Sequence, residues 1–270
     1  MLNCKENVFG VQRRSLLALS VRCNRLTHCK GEIMRRILAI GTFLMLGAMG
    51  VAQAGVTGTV TAVSDYDFRG YTQTGSDPAL QGSIDWASDS GFYAGAWASS
   101  SLNFGSAPPA SDADVELDIY GGFNFGGGDD KPAYSLNAVW YTYPGAKDFN
   151  FPEVSAGITY KMVYGKIWYS WDFANTNTDA WYLDGGLTFT LPQDYGLQIH
   201  AGYSGGDYWS SFDGKYFDWS IGVTKSFGHF ATALKYIDTS GAVYDHTSDV
   251  FTAKGKILLT VSTTFPWSDK

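Results

Sequence analysis

The sequence predicts an all-β protein, an antiparallel transmembrane β-barrel of about twelve strands preceded by a cleavable signal peptide. Three observations support this prediction. Apolar and polar residues alternate with a period of two through most of the chain after residue 54. The alternating segments are longer than the strands of most soluble proteins, and the connections between them are alternately short and long. This combination is typical of outer-membrane barrels of Gram-negative bacteria.

Residues 34–54 contain the three parts of a secretory signal peptide. Met34-Arg35-Arg36 forms a basic start, Ile37 to about Gly50 forms an apolar run, and Ala52-Gln53-Ala54 supplies the small residues of a cleavage site. The apolar run is shorter than the roughly 20 residues that a membrane-spanning helix needs. We therefore expect Sec-type export, cleavage before Gly55 and one barrel domain over residues 55–270.

Residues 1–33 resemble neither a signal peptide nor the strands that follow. They are basic and contain all three cysteines, Cys4, Cys23 and Cys29, without the paired spacing of a metal site. We interpret them as an extension produced by a start codon assigned too early, with Met34 as the true start. Without residues 1–54 the chain has 11 Lys and Arg against 24 Asp and Glu, a net charge of −13. Such an acidic chain argues against a nucleic-acid partner.

Twelve segments after residue 54 alternate apolar and polar residues. In residues 181–191, for example, Leu183, Leu187 and Phe189 fall on one face of the strand, with Asp184 on the other. The segments are long enough for the roughly 9–11 residues of a strand that crosses a bilayer, whereas soluble strands average about 5–6. The predicted strands cover 55–69, 78–89, 91–102, 112–126, 133–143, 151–163, 165–174, 179–191, 195–205, 215–227, 229–239 and 253–265.

The connections differ between the two predicted ends of the barrel. Tight turns such as Ser90-Gly91 follow the even-numbered strands, and longer polar loops such as Gly70–Asp77 follow the odd-numbered ones. Short periplasmic turns and long outer loops are the outer-membrane pattern. Periodicity alone does not tell which face points inward, so a soluble sandwich or a lipocalin-like barrel is the alternative. Strand length, loop asymmetry and the charged polar face favour the membrane barrel.

Aromatic residues are expected to form girdles where the barrel crosses the two membrane interfaces. Those predicted at the periplasmic end are Phe92, Phe227, Phe230, Phe265 and Trp267. Those predicted at the outer end are Tyr143, Phe151, Phe173 and Trp181.

The stretch after the first predicted strand is the most distinctive of the chain. Ser64-Asp65-Tyr66-Asp67-Phe68-Arg69-Gly70-Tyr71-Thr72-Gln73-Thr74 is continued by Asp77-Pro78-Ala79-Leu80-Gln81-Gly82, and Ser90–Gly95 with Trp97 follows. These residues resemble the opening of the TorF-type porin family of proteobacteria, also labelled Gcw_chp. The resemblance covers about residues 55–265. It implies a porin-type barrel and supplies neither catalytic residues nor a known solute.

With the apolar face towards lipid, the charged residues line the lumen. The residues predicted to line the pore and set its selectivity are Asp65, Asp67, Arg69, Asp85, Asp114, Glu116, Asp118, Lys161, Lys166, Asp184, Asp218 and Lys235. Glu153, His200 and Lys256 are also expected in the lumen. An excess of acids predicts a mild preference for cations, and the alternative is that the charges pair across the interior and partly plug it. Arg69 is expected to pair with Asp65 or Asp67, either fixing the first loop or selecting solutes.

The function predicted first is a channel for passive diffusion of small hydrophilic solutes, without enzymatic activity, cofactor or metal. The expected partners are outer-membrane lipid, the solutes and the barrel-insertion machinery. One alternative is a closed structural or binding barrel whose outer loops contact a ligand. The other is an outer-membrane lipid hydrolase that uses His200 or His229, although no spacing in the sequence marks a catalytic dyad.

Overall fold

The structure, a computed structural model, describes residues 55–100, 102–103, 113–128, 130–212, 214–241 and 253–267. The signal peptide and the extension before it lie outside these residues. The strands of the described part are β1 (Gly55–Val63), β2 (Asp67–Phe68), β3 (Tyr71–Thr72), β4 (Ala79–Ala87), β5 (Phe92–Ser99), β6 (Glu116–Gly126), β7 (Ala133–Thr142), β8 (Phe151–Tyr160), β9 (Val163–Ser170), β10 (Ala180–Thr190), β11 (Tyr195–Gly205), β12 (Tyr216–Phe227), β13 (Phe230–Ser240) and β14 (Lys256–Phe265).

Twelve of these strands, β1 and β4–β14, form one closed antiparallel barrel in chain order. The ring closes where β1 pairs with β14, so that Gly58 lies opposite Phe265 and Val63 opposite Thr260. The barrel strands are 8 to 12 residues long. The predicted antiparallel barrel and its strand number are therefore confirmed. Because the barrel closes, no strand edge in it is left unpaired. A sheet that faces lipid has to close in this way.

The two ends of the barrel are built differently. Five short turns, over residues 88–91, 127–132, 161–162, 191–194 and 228–229, lie at the end that also carries Gly55 and Phe265, which we call the turn end. Six longer connections lie at the other end, which we call the loop end. One of them contains helix α1 (Asp207–Phe212), and two others contain 3-10 turns at Lys147–Phe149 and Phe173–Asn175. A further 3-10 turn, Pro192–Asp194, lies at the turn end. No helix in the described part is long and apolar enough to cross a membrane.

Several predicted strands are too long at the loop end. The first ends at Val63 rather than residue 69, and the fourth and twelfth begin at Glu116 and Lys256 rather than residues 112 and 253. Alternation continues past these points in the sequence, but the backbone leaves the sheet. In the first strand the reason is visible, because Asp65 and Asp67 turn inward to pair with Lys256.

The outward face of the barrel is apolar. Ile84 and Ile257, which face outward, are each 67% exposed, whereas Thr61 and Glu116, which face inward, are 1% exposed. A water-soluble barrel has the opposite polarity, with its apolar side chains inside. The soluble alternative left open by the periodicity is therefore wrong, and the exterior is suited to lipid.

Inward-facing tyrosines lie flat against the wall because glycines stand beside them. Tyr120 covers Gly95, where an added Cβ would lie 2.7 Å from the ring, and Tyr182 covers Gly202 so closely that a Cβ there would clash. Tyr93 covers Gly122 and Tyr164 covers Gly186 in the same way. The glycines thus make room for large rings that would otherwise project into the lumen.

The buried apolar cluster of the protein lies inside the loop end of the barrel. It includes Tyr143, Phe151 and Phe173, which were predicted to form an outer aromatic girdle. That prediction is wrong, because Phe151 stacks on Tyr141 and packs against Phe173 in the interior. Only Trp181 of the four predicted residues faces outward. At the turn end, the predicted aromatic residues are exposed: Phe92, Phe227, Phe230, Phe265 and Trp267.

Candidate functional site

The connection between β1 and β4, residues 64–78, which we call the first loop, folds into the lumen at the loop end. Arg69 and Tyr71 are 7% and 6% exposed, and Thr72 and Thr74 are fully buried. A Cβ added to Gly70 would lie 3.0 Å from the Cβ of Asp218 on the wall. The loop therefore occupies space that a wide pore would leave to water.

The first loop has a regular internal structure. Strands β2 and β3 form a hairpin with Phe68 opposite Tyr71, joined by Arg69 (φ 53°) and Gly70 (φ 88°). Two successive residues with positive φ make the tight hairpin turn that matches the twist of strands, and glycine suits the second position. The backbone N–H of Gly70 also donates to Asp67 Oδ1 at 2.9 Å.

Asp65 organises the base of this hairpin. Its Oδ1 accepts hydrogen bonds from the hydroxyls of Thr72 at 2.5 Å and Thr74 at 3.0 Å. Across the loop the backbone N–H of Gln73 donates to the carbonyl of Tyr66 at 2.7 Å. These bonds satisfy several buried polar groups within the loop itself.

An ion pair fastens the base of the loop to the adjacent wall. Lys256 Nζ on β14 lies 2.7 Å from Asp65 Oδ2 and 2.9 Å from Asp67 Oδ2. Strand β14 neighbours β1, from which the loop emerges. We call this contact the near latch.

A second ion pair fastens the tip of the loop to the other side of the barrel. Arg69 Nη2 lies 2.7 Å from Glu153 Oε2 on β8, and the hydroxyl of Tyr141 donates to the same oxygen at 3.0 Å. Strands β8 and β14 stand six places apart in the ring of twelve, on opposite walls. The loop thus crosses the whole lumen, and we call the contact of Arg69 with Glu153 the far latch.

The guanidinium of Arg69 is also surrounded by aromatic rings. Its Cζ lies 4.6 Å from the ring centroids of Phe68 and Tyr182 and 5.4 Å from that of Trp168. Burial alone would lower the pKa of Arg69, but the charge and hydrogen bond of Glu153, together with the nearby Tyr141 and Tyr182, outweigh it, and the pKa lies above its ordinary value. Arg69 is therefore a permanently charged group held between one carboxylate and electron-rich ring faces.

The expected pairing of Arg69 with Asp65 or Asp67 is wrong. Those acids turn back to Lys256 on the near wall, and Arg69 extends to Glu153 on the far wall. Glu153 and Lys256 were expected only among the lumen charges, and their roles as anchors were missed. The far latch joins residues 84 positions apart. No local spacing in the sequence signals such a contact, because it depends on how the strands close into a ring.

Beneath the first loop, one wall of the lumen carries a network of charged groups. His200 Nε2 lies 3.1 Å from Asp184 Oδ1, and its Nδ1 lies 3.6 Å from Asp218 Oδ1. Asp218 also accepts a hydrogen bond from the hydroxyl of Tyr182 at 3.1 Å. Lys166 stands opposite Asp184 on the next strand, with its Nζ 3.8 Å from the ring centroid of Trp168. The structure thus brings four predicted site residues, Lys166, Asp184, Asp218 and Arg69, to one region.

The remaining predicted site residues are placed as follows. Glu116 and Asp118 face inward on β6 and are buried, with Tyr143 donating to Glu116 at 3.5 Å. Asp85 faces inward and accepts a hydrogen bond from the hydroxyl of Tyr120. The side chain of Lys235 crosses Gly222 on the neighbouring strand. Among the residues that the structure describes, Lys235 has no hydrogen bond or ion pair.

Two predicted pore-lining residues are not in the lumen. Asp114 precedes β6 and is exposed at the loop end. Lys161 lies in the turn between β8 and β9, 56% exposed, where its Nζ is 2.9 Å from Asp130 of the neighbouring turn. The alternation was extended too far in both cases, because each residue lies beyond the end of its strand.

The described histidines are not arranged for nucleophilic catalysis. Both ring nitrogens of His200 face carboxylates, and His229 stacks on Trp267 at the turn end with ring centroids 4.9 Å apart. A catalytic histidine needs one nitrogen directed at the nucleophile. In the described ranges there is also no group of three or more His, Cys, Asp and Glu side chains able to hold a metal ion.

A closed barrel with an apolar exterior, a polar interior and one loop folded into the lumen defines the class of porin-like β-barrels. Residues 48–265 match the family described as "Bacterial protein of unknown function (Gcw_chp)". The chain therefore belongs to the Gcw_chp family. The match confirms the resemblance to that family, and it assigns no function.

Solved structures with a similar fold are outer-membrane proteins. The NanC porin is 7% identical, with a TM-score of 0.50 over 79% of this chain and 100% of that chain. The KdgM porin, solved with a disordered oligogalacturonate, is 7% identical with a TM-score of 0.49 over the same shares. An outer-membrane channel from Pseudomonas putida F1 is 10% identical, with a TM-score of 0.42 over 79% of this chain and 95% of that chain. None of the curated proteins matches the sequence.

Proposed function

We propose that this protein is a porin-like outer-membrane channel for passive diffusion of small hydrophilic solutes, as the TorF-type label implies. The observation that carries the proposal is the polarity of the closed barrel. Its exterior is apolar, and its interior towards the turn end is lined by partly exposed polar side chains: Asn124, Thr188, Gln198, Thr260 and Ser262. A polar, water-accessible lining is what a barrel that admits hydrophilic molecules needs.

The orientation follows from the two ends. Short turns face the periplasm in outer-membrane barrels, and long loops face outward. We therefore assign the turn end to the periplasm and the loop end, with the first loop, to the cell exterior. Export by the signal peptide, surrounding outer-membrane lipid and assembly by the barrel-insertion machinery are parts of the same proposal.

The proposed selectivity is a mild preference for cations. Among the described residues, eight inward-facing carboxylates stand against four inward-facing cations. The acids are Asp65, Asp67, Asp85, Glu116, Asp118, Glu153, Asp184 and Asp218, and the cations are Arg69, Lys166, Lys235 and Lys256. An acidic lumen raises the local concentration of cations and repels anions. The reversal potential in a salt gradient measures this preference, and a preference for anions would contradict it.

Conductance of the purified, refolded protein in planar bilayers tests the channel itself. We expect discrete current steps from protein that migrates anomalously on an unboiled SDS gel, the signature of a folded barrel. Protein boiled before reconstitution is the control. If folded protein carries no current, and removal of the first loop does not produce one, the channel proposal is wrong.

A closed binding barrel is the second candidate, because the first loop fills the loop end of the lumen. This candidate predicts a folded barrel that carries no current in any variant. The other alternative suggested by the sequence, a lipid hydrolase, has less support, because both nitrogens of His200 face carboxylates. We propose no enzymatic activity, and lipid hydrolysis that is lost in His200→Asn would contradict this.

A further inference from the structure

We propose that the first loop is the gate of this channel. It is a preassembled unit hinged at Val63 and Ala79, and solutes pass when its tip leaves Glu153 on the far wall. The inference rests on the proposed channel function and adds how the channel is closed and opened.

The loop has the properties of a unit that moves as a whole. Asp65, Thr72 and Thr74 are hydrogen-bonded to one another, and the β2–β3 hairpin closes on itself. Because these bonds lie inside the loop, they persist when the loop changes its position relative to the wall. A displaced loop therefore leaves few of its own buried polar groups without a partner.

The two stems of the loop provide a hinge. Val63 ends β1 and Ala79 begins β4, and the two residues are directly opposite in the register of adjacent strands. Both stems therefore leave the wall at one point. One backbone hydrogen bond joins the loop to the wall beside the stems, from Ser64 to Leu259, and another joins Gln73, directly after the hairpin, to Asn103 in the β5–β6 connection. Rotation at a few residues at the end of an element is the usual form of a hinge.

A rotation that opens the loop changes the two latches to different extents. The near latch joins the base of the loop to β14, beside the hinge, and a small rotation hardly changes its length. The far latch joins the tip of the loop to β8 on the opposite wall, so any rotation that clears the lumen must separate Arg69 from Glu153. The far latch is therefore the contact that sets the fraction of time the gate is open.

The space on both sides of the closed loop is filled by aromatic side chains. Tyr66 packs on Trp97 of β5 with ring centroids 5.4 Å apart, and Tyr71 packs on Tyr216 of β12 at 5.0 Å. These contacts reach walls on either side of the line between the two latches. Together with the loop, they fill the loop end of the lumen. Because these contacts are made by side chains, the loop can separate from the wall without breaking the sheet.

A reversible cross-link tests the gate directly. Residues 55–270 contain no cysteine, so a pair introduced by Gly70→Cys and Thr239→Cys is the only one in the mature barrel. A Cβ on Gly70 would clash with Cγ2 of Thr239. Thr239→Cys removes this methyl group and places a sulfur atom on the same side chain, close enough for a disulfide. The variant Gly70→Ser with Thr239→Cys carries the same backbone strain at φ 88° and loses the same Thr239 methyl group, but it cannot form the disulfide, so it is the matched control.

In planar bilayers we expect the oxidised double variant to carry a mean current about ten-fold below that of the same protein after reduction. The control variant with serine at position 70 is expected to be insensitive to the reductant. Equal currents before and after reduction, in protein shown to be cross-linked, would overturn the gate and leave the channel proposal intact.

A second variant decides the question if the cysteine pair does not fold or does not cross-link. Glu153→Gln removes the charge that holds Arg69 and keeps the shape of the side chain, and we expect a several-fold higher mean current than in the unchanged protein. An unchanged current would contradict the gate. If neither this variant nor a barrel with residues 65–77 replaced by a short glycine-rich turn conducts, the channel proposal fails and the gate with it.

Discussion

The two halves of the lumen are built on different principles. At the loop end, large aromatic side chains such as Tyr141, Phe151 and Tyr216 and a buried loop make an interior packed like the core of a soluble protein. At the turn end, small polar side chains such as Thr188 and Ser262 line the wall and remain partly exposed. One barrel therefore contains a packed, charge-paired half and an open, polar half, and in the proposed channel only the packed half has to change.

The difference also determines what a mutation does. In the packed half, charges such as Glu153 are fully buried and are balanced by one opposite charge. In the open half, water replaces a lost partner at little cost. Variants in the two halves, each with a control outside the lumen, separate these effects.

The largest expected effect is the loss of stability in Glu153→Ala. Breaking a buried ion pair by removing one partner costs about 3–5 kcal/mol, because the guanidinium of Arg69 stays buried without its counter-charge. Urea unfolding of the refolded barrel, followed by tryptophan fluorescence, measures the change. The matched control is Asp130→Ala, which removes the partner of Lys161 at the exposed turn and is expected to leave the unfolding midpoint unchanged. Equal midpoints for the two variants would mean that the far latch contributes nothing to stability.

The double variant Arg69→Met with Glu153→Leu sharpens this test. It removes both charges and keeps apolar volume, and such replacements of buried ion pairs are often neutral or stabilising. We expect it to recover most of the stability that Glu153→Ala loses. Continued instability would show that packing around Tyr141, rather than charge, is what the single variant disturbs.

The same contrast explains which parts of the molecule could be predicted from the sequence. Alternation is a local signal, and it correctly predicted strands such as β10; strand length and loop asymmetry were needed to predict the polarity of the wall. The far latch could not be predicted in this way, since Arg69 and Glu153 meet only after twelve strands have closed into a ring. Phe151 and Phe173 were wrongly predicted to lie in an outer girdle. Periodicity shows that a residue lies near the end of a strand, but it does not show that a buried loop fills the barrel at that end.

The second prediction concerns the glycines that let tyrosines lie against the wall. Gly202→Ala places a methyl group against the ring of Tyr182, which hydrogen-bonds to Asp218. Overpacking of this kind costs about 1–3 kcal/mol in the free energy of unfolding. Gly165→Ala is the control, because its Cβ would face outward with no heavy atom nearer than 3.9 Å. If both variants unfold at the same urea concentration, the tyrosine is not held by the glycine.

The third prediction compares the near latch with the far latch. Asp67→Asn leaves Lys256 paired with Asp65 and keeps the oxygen that accepts from the N–H of Gly70. We therefore expect a loss of only about 1 kcal/mol, the usual contribution of one hydrogen bond. The unfolding midpoint measures it on the same scale as Glu153→Ala. A loss as large as that of Glu153→Ala would show that the near latch is the dominant anchor of the loop.

The smallest expected effect belongs to the open part of the lumen. Lys235 makes no hydrogen bond or ion pair with any described residue, so Lys235→Gln is expected to leave stability nearly unchanged and to remove a positive charge that solutes meet. The ratio of cation to anion permeability is expected to rise about two-fold at low ionic strength, because a lumen charge shifts the local ion concentrations. The shift should shrink at 1 M salt, where the screening length falls to about 3 Å. The control is Lys161→Gln on the exposed turn, which removes one positive charge outside the lumen. An equal shift in that control would mean that net charge, rather than the position of Lys235, determines the ion preference.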